Sequence, residues 1–433
     1  MAQIDRRSFT RGLVAATAGA AVLPSAAGRA RAEGPAPRTV KVGLLGCGWW
    51  GMLDLKAAFQ SGGVEAAALC DVDSEHLAKA AEETAALQGG TRPRTYKDWR
   101  ELLAHPGLEA LILATPPHWH ALPFIAACER GLDVYLEKPV AYDVREGQAM
   151  VAAARRSRRI VQVGFQRRQS QAYKDAAAYV REGRAGRIVQ VDARINYRAQ
   201  PRDNAPQDPP ASLDWEAWCG PAPRLPYSPN VGHFAWRLEK AYGNGHLVDW
   251  GIHWIDRVRL ALGAGMPRTI QAAGGTYGLA GRLTTPDTLA VHFEFETCPV
   301  LWRHRIWGAA EWSPEADNAA LFYGENETVV VMDDKWVVVP KDPKAERRVA
   351  EARTDVLPRH VGEFLEAVRT RTAPSCPIED AFRSTATVQL AMIAYETGSR
   401  VAWDSAKEEI VGNAAASALL KREYRAPWKH PWA

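Results

Sequence analysis

The chain has 433 residues, an apolar content of 47% and a formal net charge of +4, which is length enough for two or three domains with a sizeable core. Five arginines and one aspartate lie in the first 32 residues, so the remainder is close to neutral and leaves no basic footprint for nucleic acid. Six cysteines (Cys47, Cys70, Cys128, Cys219, Cys298, Cys376) lack the paired spacing of metal ligands and read as small buried hydrophobes, with a disulfide among the last three left open.

Residues 1–32 read as an export signal. Asp5-Arg6-Arg7-Ser8-Phe9-Thr10-Arg11 is a twin-arginine pattern, followed by a small-residue apolar segment over 12–23 and an Ala-x-Ala site at Ala30-Arg31-Ala32. That segment is shorter than the ~20 residues a membrane span needs. The expected compartment is the periplasm. A proline- and glycine-bearing linker over 33–39 leads to the first domain, expected over 40–164.

An apolar strand over 40–45 runs into Gly46-Cys47-Gly48-Trp49-Trp50-Gly51. In such a turn one glycine makes the tight bend, one lets the backbone approach a pyrophosphate, and one lets the next helix pack closely with its amino end toward the phosphates. The helix is expected over 52–60. A second strand over 64–69 ends at Cys70-Asp71, and Asp71 stands 20 residues after Gly51, the spacing at which a carboxylate meets a ribose diol. With Val72 and Asp73 beside it rather than arginine, a 2′-phosphate would be repelled, so the expected cofactor is NAD rather than NADP.

A buried strand over 108–114 opens into Thr115-Pro116-Pro117-His118-Trp119-His120. Thr115, His118 and His120 are placed to line the nicotinamide side, although each histidine alone reads more readily as a hydrogen-bonded structural residue. A helix over 121–129 precedes a strand over 134–136, which delivers Glu137-Lys138-Pro139 to the carboxyl edge of the sheet, where open α/β sheets bind ligands. A helix over 145–155 and a strand over 160–164 follow, then Phe165-Gln166-Arg167-Arg168. Strands alternating with helices over this length predict a doubly wound parallel sheet.

Gly46-Cys-Gly48-Trp-Trp-Gly51, Cys70-Asp71-Val72-Asp73, Ala114-Thr-Pro-Pro-His-Trp-His120, Glu137-Lys-Pro139 and Val163-Gly-Phe-Gln-Arg-Arg168 together resemble the Gfo/Idh/MocA family (glucose-fructose oxidoreductase, inositol dehydrogenase and rhizopine catabolism proteins). The resemblance implies a Rossmann domain followed by an α+β domain whose open, mostly antiparallel sheet mediates dimers or tetramers. It also implies Lys138 as the bridge between nicotinamide ribose and reacting hydroxyl, with Lys138-Pro139 often cis, and Glu137 and Gln166 on the cofactor side.

The second domain is expected over 165–433. Alternating runs over 188–195, 269–273, 288–296, 300–307, 320–323 and 328–332 predict its strands. Between the first two lies an irregular insertion over 200–243, with eight prolines by Pro229 and with Trp215, Trp218, Tyr227, Trp236 and Tyr242. Its aromatics suit either sugar C–H faces, Trp236 among them, or anchoring of the segment to the body. Gly245 to Asp256 is expected to open a helix with Asp249 and His253 at i and i+4 on one face. No third ligand is spaced for a metal, and none is expected. In the family this Asp-x-x-x-His partners the lysine.

Two further helices over 358–370 and 378–399 precede an aromatic, basic tail that has no functional reading beyond packing or a subunit contact. Lys138, Asp249 and His253 are the expected catalytic set, and Arg168 and Trp236 the added substrate contacts. The expected activity is hydride transfer between a sugar or polyol hydroxyl and a tightly held nicotinamide. Its alternative is a redox-neutral, NAD-dependent glycoside hydrolase, which needs a further base for which Tyr242 and His233 are the candidates. A non-catalytic sugar-binding protein is disfavoured by the intact Lys138, Asp249 and His253.

Overall fold

The computed structural model describes residues 38–233, 235–309 and 317–432; the export-signal reading and most of the linker fall outside them. The first part runs β1 (Val40–Leu45), α1 (Trp49–Ser61), β2 (Val64–Cys70), α2 (Ser74–Leu87), β3 (Arg94–Tyr96), α3 (Trp99–Leu103), β4 (Ala110–Leu113), α4 (Ala121–Glu129), β5 (Asp133–Leu136), α5 (Val144–Ser157) and β6 (Val161–Val163). The strands form one parallel sheet in the order β3-β2-β1-β4-β5-β6. Strands such as Ala110–Leu113 and Asp133–Leu136 are buried at every position, as expected of a sheet covered by helices on both faces. The strand order reverses between β1 and β4, so the loops after Leu45 and Leu113 open a crevice at the carboxyl edge.

The second part adds α6 (Gln171–Arg181), β7 (Ile188–Ile195), α7 (Trp215–Cys219), α8 (Ile252–Ala261), β8 (Thr269–Gly275), β9 (Thr288–Glu294), β10 (Pro299–Arg305), β11 (Asn318–Gly324), β12 (Glu327–Val331), β13 (Lys335–Pro340), β14 (Arg348–Glu351), α9 (Val356–Thr370), α10 (Ile378–Thr397), β15 (Val401–Asp404), β16 (Glu409–Val411) and α11 (Ala414–Ala418). Ten strands form a single sheet, order β14-β13-β12-β11-β7-β10-β9-β8-β15-β16, antiparallel except for β7 with β10. Burial alternates along β9 and β10: one face packs on helices and the other faces outward. The outward positions are mixed in character, among them Gln271, His292 and Arg303.

Two features tie the carboxyl-terminal part to the first sheet. Val361, Phe364, Leu365 and Val368 of α9 share a core with Val40, Leu44, Leu55 and Ala58. Helix α10, buried along most of its length, joins the core that spans both sheets. The insertion forms a third core of Leu213, Trp215, Trp218, Cys219, Ala222, Val231 and Tyr242, in which the Trp215 and Trp218 rings stack with centroids 4.6 Å apart. Those two tryptophans are anchors. All six cysteines are free and buried, so the open disulfide among Cys219, Cys298 and Cys376 does not form.

Candidate active site

The glycine turn is built as a cradle. Gly46 has φ +95°, and a Cβ there would lie 2.8 Å from the Ala114 carbonyl, while one on Gly51 would lie 2.0 Å from the Gly46 oxygen. A Cβ on Gly48 would meet no protein atom within 4 Å: that glycine leaves space for something other than the protein. Helices α2, α3 and α5 start with an aspartate that accepts from backbone N–H groups (Asp73, Asp98 and Asp143), whereas α1 has no side-chain cap and no acidic residue in its first turn. Its N–H groups are thus left for an anion.

At the end of β2 the Asp71 carboxylate accepts from Cys47 N at 2.6 Å and from Asp73 N at 2.9 Å. Burial raises its pKa, and these backbone bonds pull the other way. A cavity of about 390 Å³ opens over this turn, lined by Gly46, Gly48, Trp49, Trp50, Gly51, Asp71, Thr115 and Trp236 of the predicted residues. An uncapped helix start, a bare glycine and a fixed carboxylate suit the pyrophosphate and ribose of a dinucleotide.

Several predicted cofactor residues stand elsewhere. His118 is buried, with Nε2 2.9 Å from the Trp218 carbonyl and its ring against Trp218 and Tyr242. His120 is buried with its nitrogens 2.8 Å from the Pro139 and Thr115 carbonyls. Burial, offset in part by these contacts, lowers their pKa values to about 3 and about 4, so both rings are neutral struts and not cavity walls. Glu137 and Gln166 lie beneath the site: Gln166 Nε2 donates to Glu137 Oε1 at 2.5 Å and to the Tyr135 hydroxyl at 2.9 Å, and Glu137 accepts from Lys138 N at 3.1 Å. Asp54 of α1, which sequence reasoning did not single out, is fully buried beside this pair with no partner for either oxygen. Burial and then Glu137 raise its pKa well above the ordinary value.

Lys138 leaves β5 through a cis peptide to Pro139 and reaches the second domain. Its ammonium donates to the Asp249 carbonyl at 2.7 Å and to Asp249 Oδ1 at 2.8 Å. Arg237 lies on the other carboxylate oxygen at 3.3 Å and also lines the cavity, so the pair sits at the cavity's edge. Burial alone would raise the Asp249 carboxyl, but Lys138 and Arg237 outweigh it and hold it below the ordinary range.

Asp249 pairs with Lys138, the partner that the family resemblance implied for the Asp-x-x-x-His. Residues Leu247–Gly251 form a π-helical turn before α8 begins, the kind of irregularity found at functional sites, and Asp249 lies within it. His253 is buried with no partner on Nδ1. Burial first, then Lys138, Arg167 and Arg257, lower its pKa well below the usual value. Its imidazole is neutral and keeps a nitrogen to accept a proton.

Arg168 is not a substrate contact. It donates to Asp256 at 2.5 and 2.8 Å and pairs with Asp380 at 2.9 Å in the protein interior. The neighbouring Arg167 is the one that faces the site, its guanidinium 5.4 Å from the Trp250 ring centroid and its charge acting on His253. Both lie on a single 3₁₀ turn, Gln166–Gln169, where adjacent side chains diverge. Trp250 was likewise missed: it is half exposed, 6.2 Å from the His253 ring.

Neither proposed extra base is placed for that task. The Tyr242 hydroxyl is buried and donates to the Pro223 carbonyl at 2.8 Å, and burial raises its pKa. His233 lies 2.8 Å from Asp73 at the ribose corner. Two sets of ligand-type side chains converge among the described residues, Asp73-His76-His233 and Asp143-Glu146-His430, each already joined by hydrogen bonds, and neither includes Asp249 or His253.

A Rossmann domain with an open dinucleotide cradle, joined to an open-faced sheet domain that returns a carboxylate and an imidazole to its edge, defines a dinucleotide-binding oxidoreductase architecture. Two models of one family match the chain: "Oxidoreductase family, NAD-binding Rossmann fold" over 40–165 and "Oxidoreductase family, C-terminal alpha/beta domain" over 187–273 and 338–430. The chain belongs to the Gfo/Idh/MocA oxidoreductase family.

Among curated relatives, a levoglucosan dehydrogenase of Pseudarthrobacter phenanthrenivorans is 32% identical over 38% of this chain and 36% of its own length. A glycosyl hydrolase family 109 protein of Stenotrophomonas maltophilia is 33% identical over 32% of this chain and 30% of its own. The matched stretch thus spans about a third of these relatives. A solved levoglucosan dehydrogenase in complex with NADH and levoglucosan shares the fold, with a TM-score of 0.67 and 19% identity over 84% of this chain and 99% of that one.

The cradle yields a test. Because a methyl on Gly48 meets no protein atom, Gly48→Ala is expected to keep its unfolding free energy within about 0.5 kcal/mol while NAD affinity falls at least about tenfold. Titration calorimetry and urea denaturation measure both. Undiminished NAD binding in that variant would remove the dinucleotide from this cavity.

Proposed function

We propose that the protein is an NAD-dependent oxidoreductase acting on a ring hydroxyl of a sugar or polyol. One observation carries the reading. Lys138 from the first domain pairs with Asp249 of the second, and Asp249 also holds Arg237, which lines a cavity shaped for a dinucleotide.

The dinucleotide, when bound, supplies the acceptor for the hydride that leaves the substrate carbon. The chain's own groups manage the hydroxyl proton and the charge on its oxygen. Lys138 has three ammonium donors and spends two on Asp249; the third is left for the substrate oxygen, where it stabilises negative charge as the O–H bond breaks. His253, as a neutral imidazole, takes the proton. A depressed pKa makes it a weak base, and the adjacent ammonium compensates by making the hydroxyl more acidic. Asp249, held ionised, positions the ammonium. Arg167 and Trp250 offer a cation and a half-exposed aromatic face to the substrate side.

NAD rather than NADP fits the two carboxylates, Asp71 and Asp73, at the ribose corner. The twin-arginine pattern and Ala-x-Ala site support export in the folded state to the periplasm. There a free nicotinamide pool is not counted on, and a resident cofactor would be recycled in place. The outward face of the ten-stranded sheet is the surface we assign to dimer or tetramer formation. The redox-neutral hydrolase reading draws on the glycosyl hydrolase family 109 relative and uses the same first step, but both of its candidate second bases are engaged elsewhere.

Lys138→Met should still bind NAD, yet lose cofactor reduction roughly 10³-fold when the reduced-nicotinamide absorbance is followed over a panel of sugars and cyclitols. An unaltered rate would take Lys138 out of the chemistry. The pH profile follows from His253. Its pKa in the folded protein lies below the ordinary 6.5, so the base stays deprotonated as pH falls through 6.5, and kcat/KM should drop only at lower pH. An acid limb at or above 6.5 would assign the proton to another group.

A further inference from the structure

Residues 422–432 fall outside the mechanism above, yet they are tied down, in part by side chains that are themselves buried. Arg422 donates to Glu146, fully buried on α5, at 2.9 and 3.0 Å and to the His118 carbonyl at 3.1 Å. Tyr424 donates to the same carboxylate at 2.7 Å. Arg425 pairs with Glu216 of α7 and donates to the Gly220 carbonyl at 2.9 Å. Further on, His430 lies 3.1 Å from Asp143, and the Arg145 guanidinium lies over Trp432 at 4.8 Å. The tail therefore runs as a strap from the start of α5 to the insertion.

What the strap carries across is Trp428. Its ring sits edge-on to Trp119 at 4.9 Å, has the Arg100 guanidinium 4.9 Å from its centroid, and lines the dinucleotide cavity. Arg100 in turn stacks on Trp99 at 4.6 Å. These groups stand with Lys97 and Asp98 just after β3, the neighbour of β2 in the sheet. A nucleotide whose ribose rests on Asp71 would direct its base to this end of the cavity. A tryptophan face and a guanidinium plane are the surfaces on which a purine stacks.

We propose that Trp428, delivered by the carboxyl-terminal strap, is an adenine-binding residue that retains the dinucleotide between turnovers. This rests on the NAD reading above and extends it to a residue remote in sequence from the Rossmann domain. Base stacking on an aromatic side chain is strong enough to change affinity about tenfold or more. The nicotinamide half makes no use of the contact.

The test compares two halves of the cofactor, AMP and nicotinamide mononucleotide, on wild type and on Trp428→Ala and Trp428→Phe. The full mature chain, freed of bound cofactor, is titrated by calorimetry. Trp428→Ala should bind AMP and NAD about tenfold or more weakly, release NAD faster in a chase, and bind nicotinamide mononucleotide as wild type does. Trp428→Phe should recover most of the loss. Equal AMP affinity in wild type and Trp428→Ala, or an equal loss for both halves, would overturn the proposal; wild type that binds neither NAD nor AMP would instead defeat the cofactor reading itself. Should Trp428→Ala fail to fold, trypsin cleavage of the tail of wild type, after Arg425 or Lys429, decides. AMP must slow it and nicotinamide mononucleotide must not, and cleavage indifferent to AMP overturns the assignment.

Discussion

The ion pair between Lys138 and Asp249 is the constraint on which the site depends. It joins the carboxyl end of a Rossmann strand to a helix start 111 residues later, with side chains only 15% and 8% exposed. A pair so sheltered from water interacts more strongly than a surface pair, but its charges are costly if left alone. Here neither is alone. Asp249 has a second cation in Arg237, and Lys138 adds a bond to the Asp249 carbonyl. The arrangement fixes where the ammonium points and so how one cation can face both cofactor and substrate.

Near that pair several buried titratable groups are shifted toward their neutral forms, and this separates the charged site from its scaffold. His118 and His120 are pushed down to about 3 and about 4 by burial, and Asp54 is pushed up. The charges nearest the pair include Arg237 on Asp249, and Arg167 acts on His253 with Asp333 beside it. Field at the reacting hydroxyl is therefore set by a few groups, and His253 feels it as a lowered pKa. The neutral histidines under the loop hold the Thr115-Pro116 segment against the insertion without competing for the substrate's charge.

Much of this was legible in the residues. The glycine turn, Asp71, the Glu-Lys-Pro and the Asp-x-x-x-His each combine a chemical need with a spacing, and the alternation of apolar strands and helices marked the first sheet. The short strands β3, β13 and β14 were not legible. Arg348–Glu351 is exposed throughout and is held by pairing with its neighbour, which no local pattern announces. The choice between Arg167 and Arg168 was lost for a related reason: the two are chemically alike and adjacent, and only the 3₁₀ turn and the acids Asp256 and Asp380 decide which is buried. The π-turn at Leu247–Gly251, which carries Asp249, reads from the residues as an ordinary helix start. The tail was silent because its partners, Glu146, Glu216 and Arg100, are scattered over the chain.

The central claim is that two domains are locked at one site by Lys138 and Asp249. A double-mutant cycle in urea unfolding of the cofactor-free protein, with Lys138→Met, Asp249→Asn and the combination, tests it without knowledge of the substrate. Each single change strands a sheltered charge and the double change strands fewer, so the cycle should show a coupling of about 2 kcal/mol or more. Effects that add to within about 0.5 kcal/mol would mean that the two residues do not act together, and the site as described would not exist.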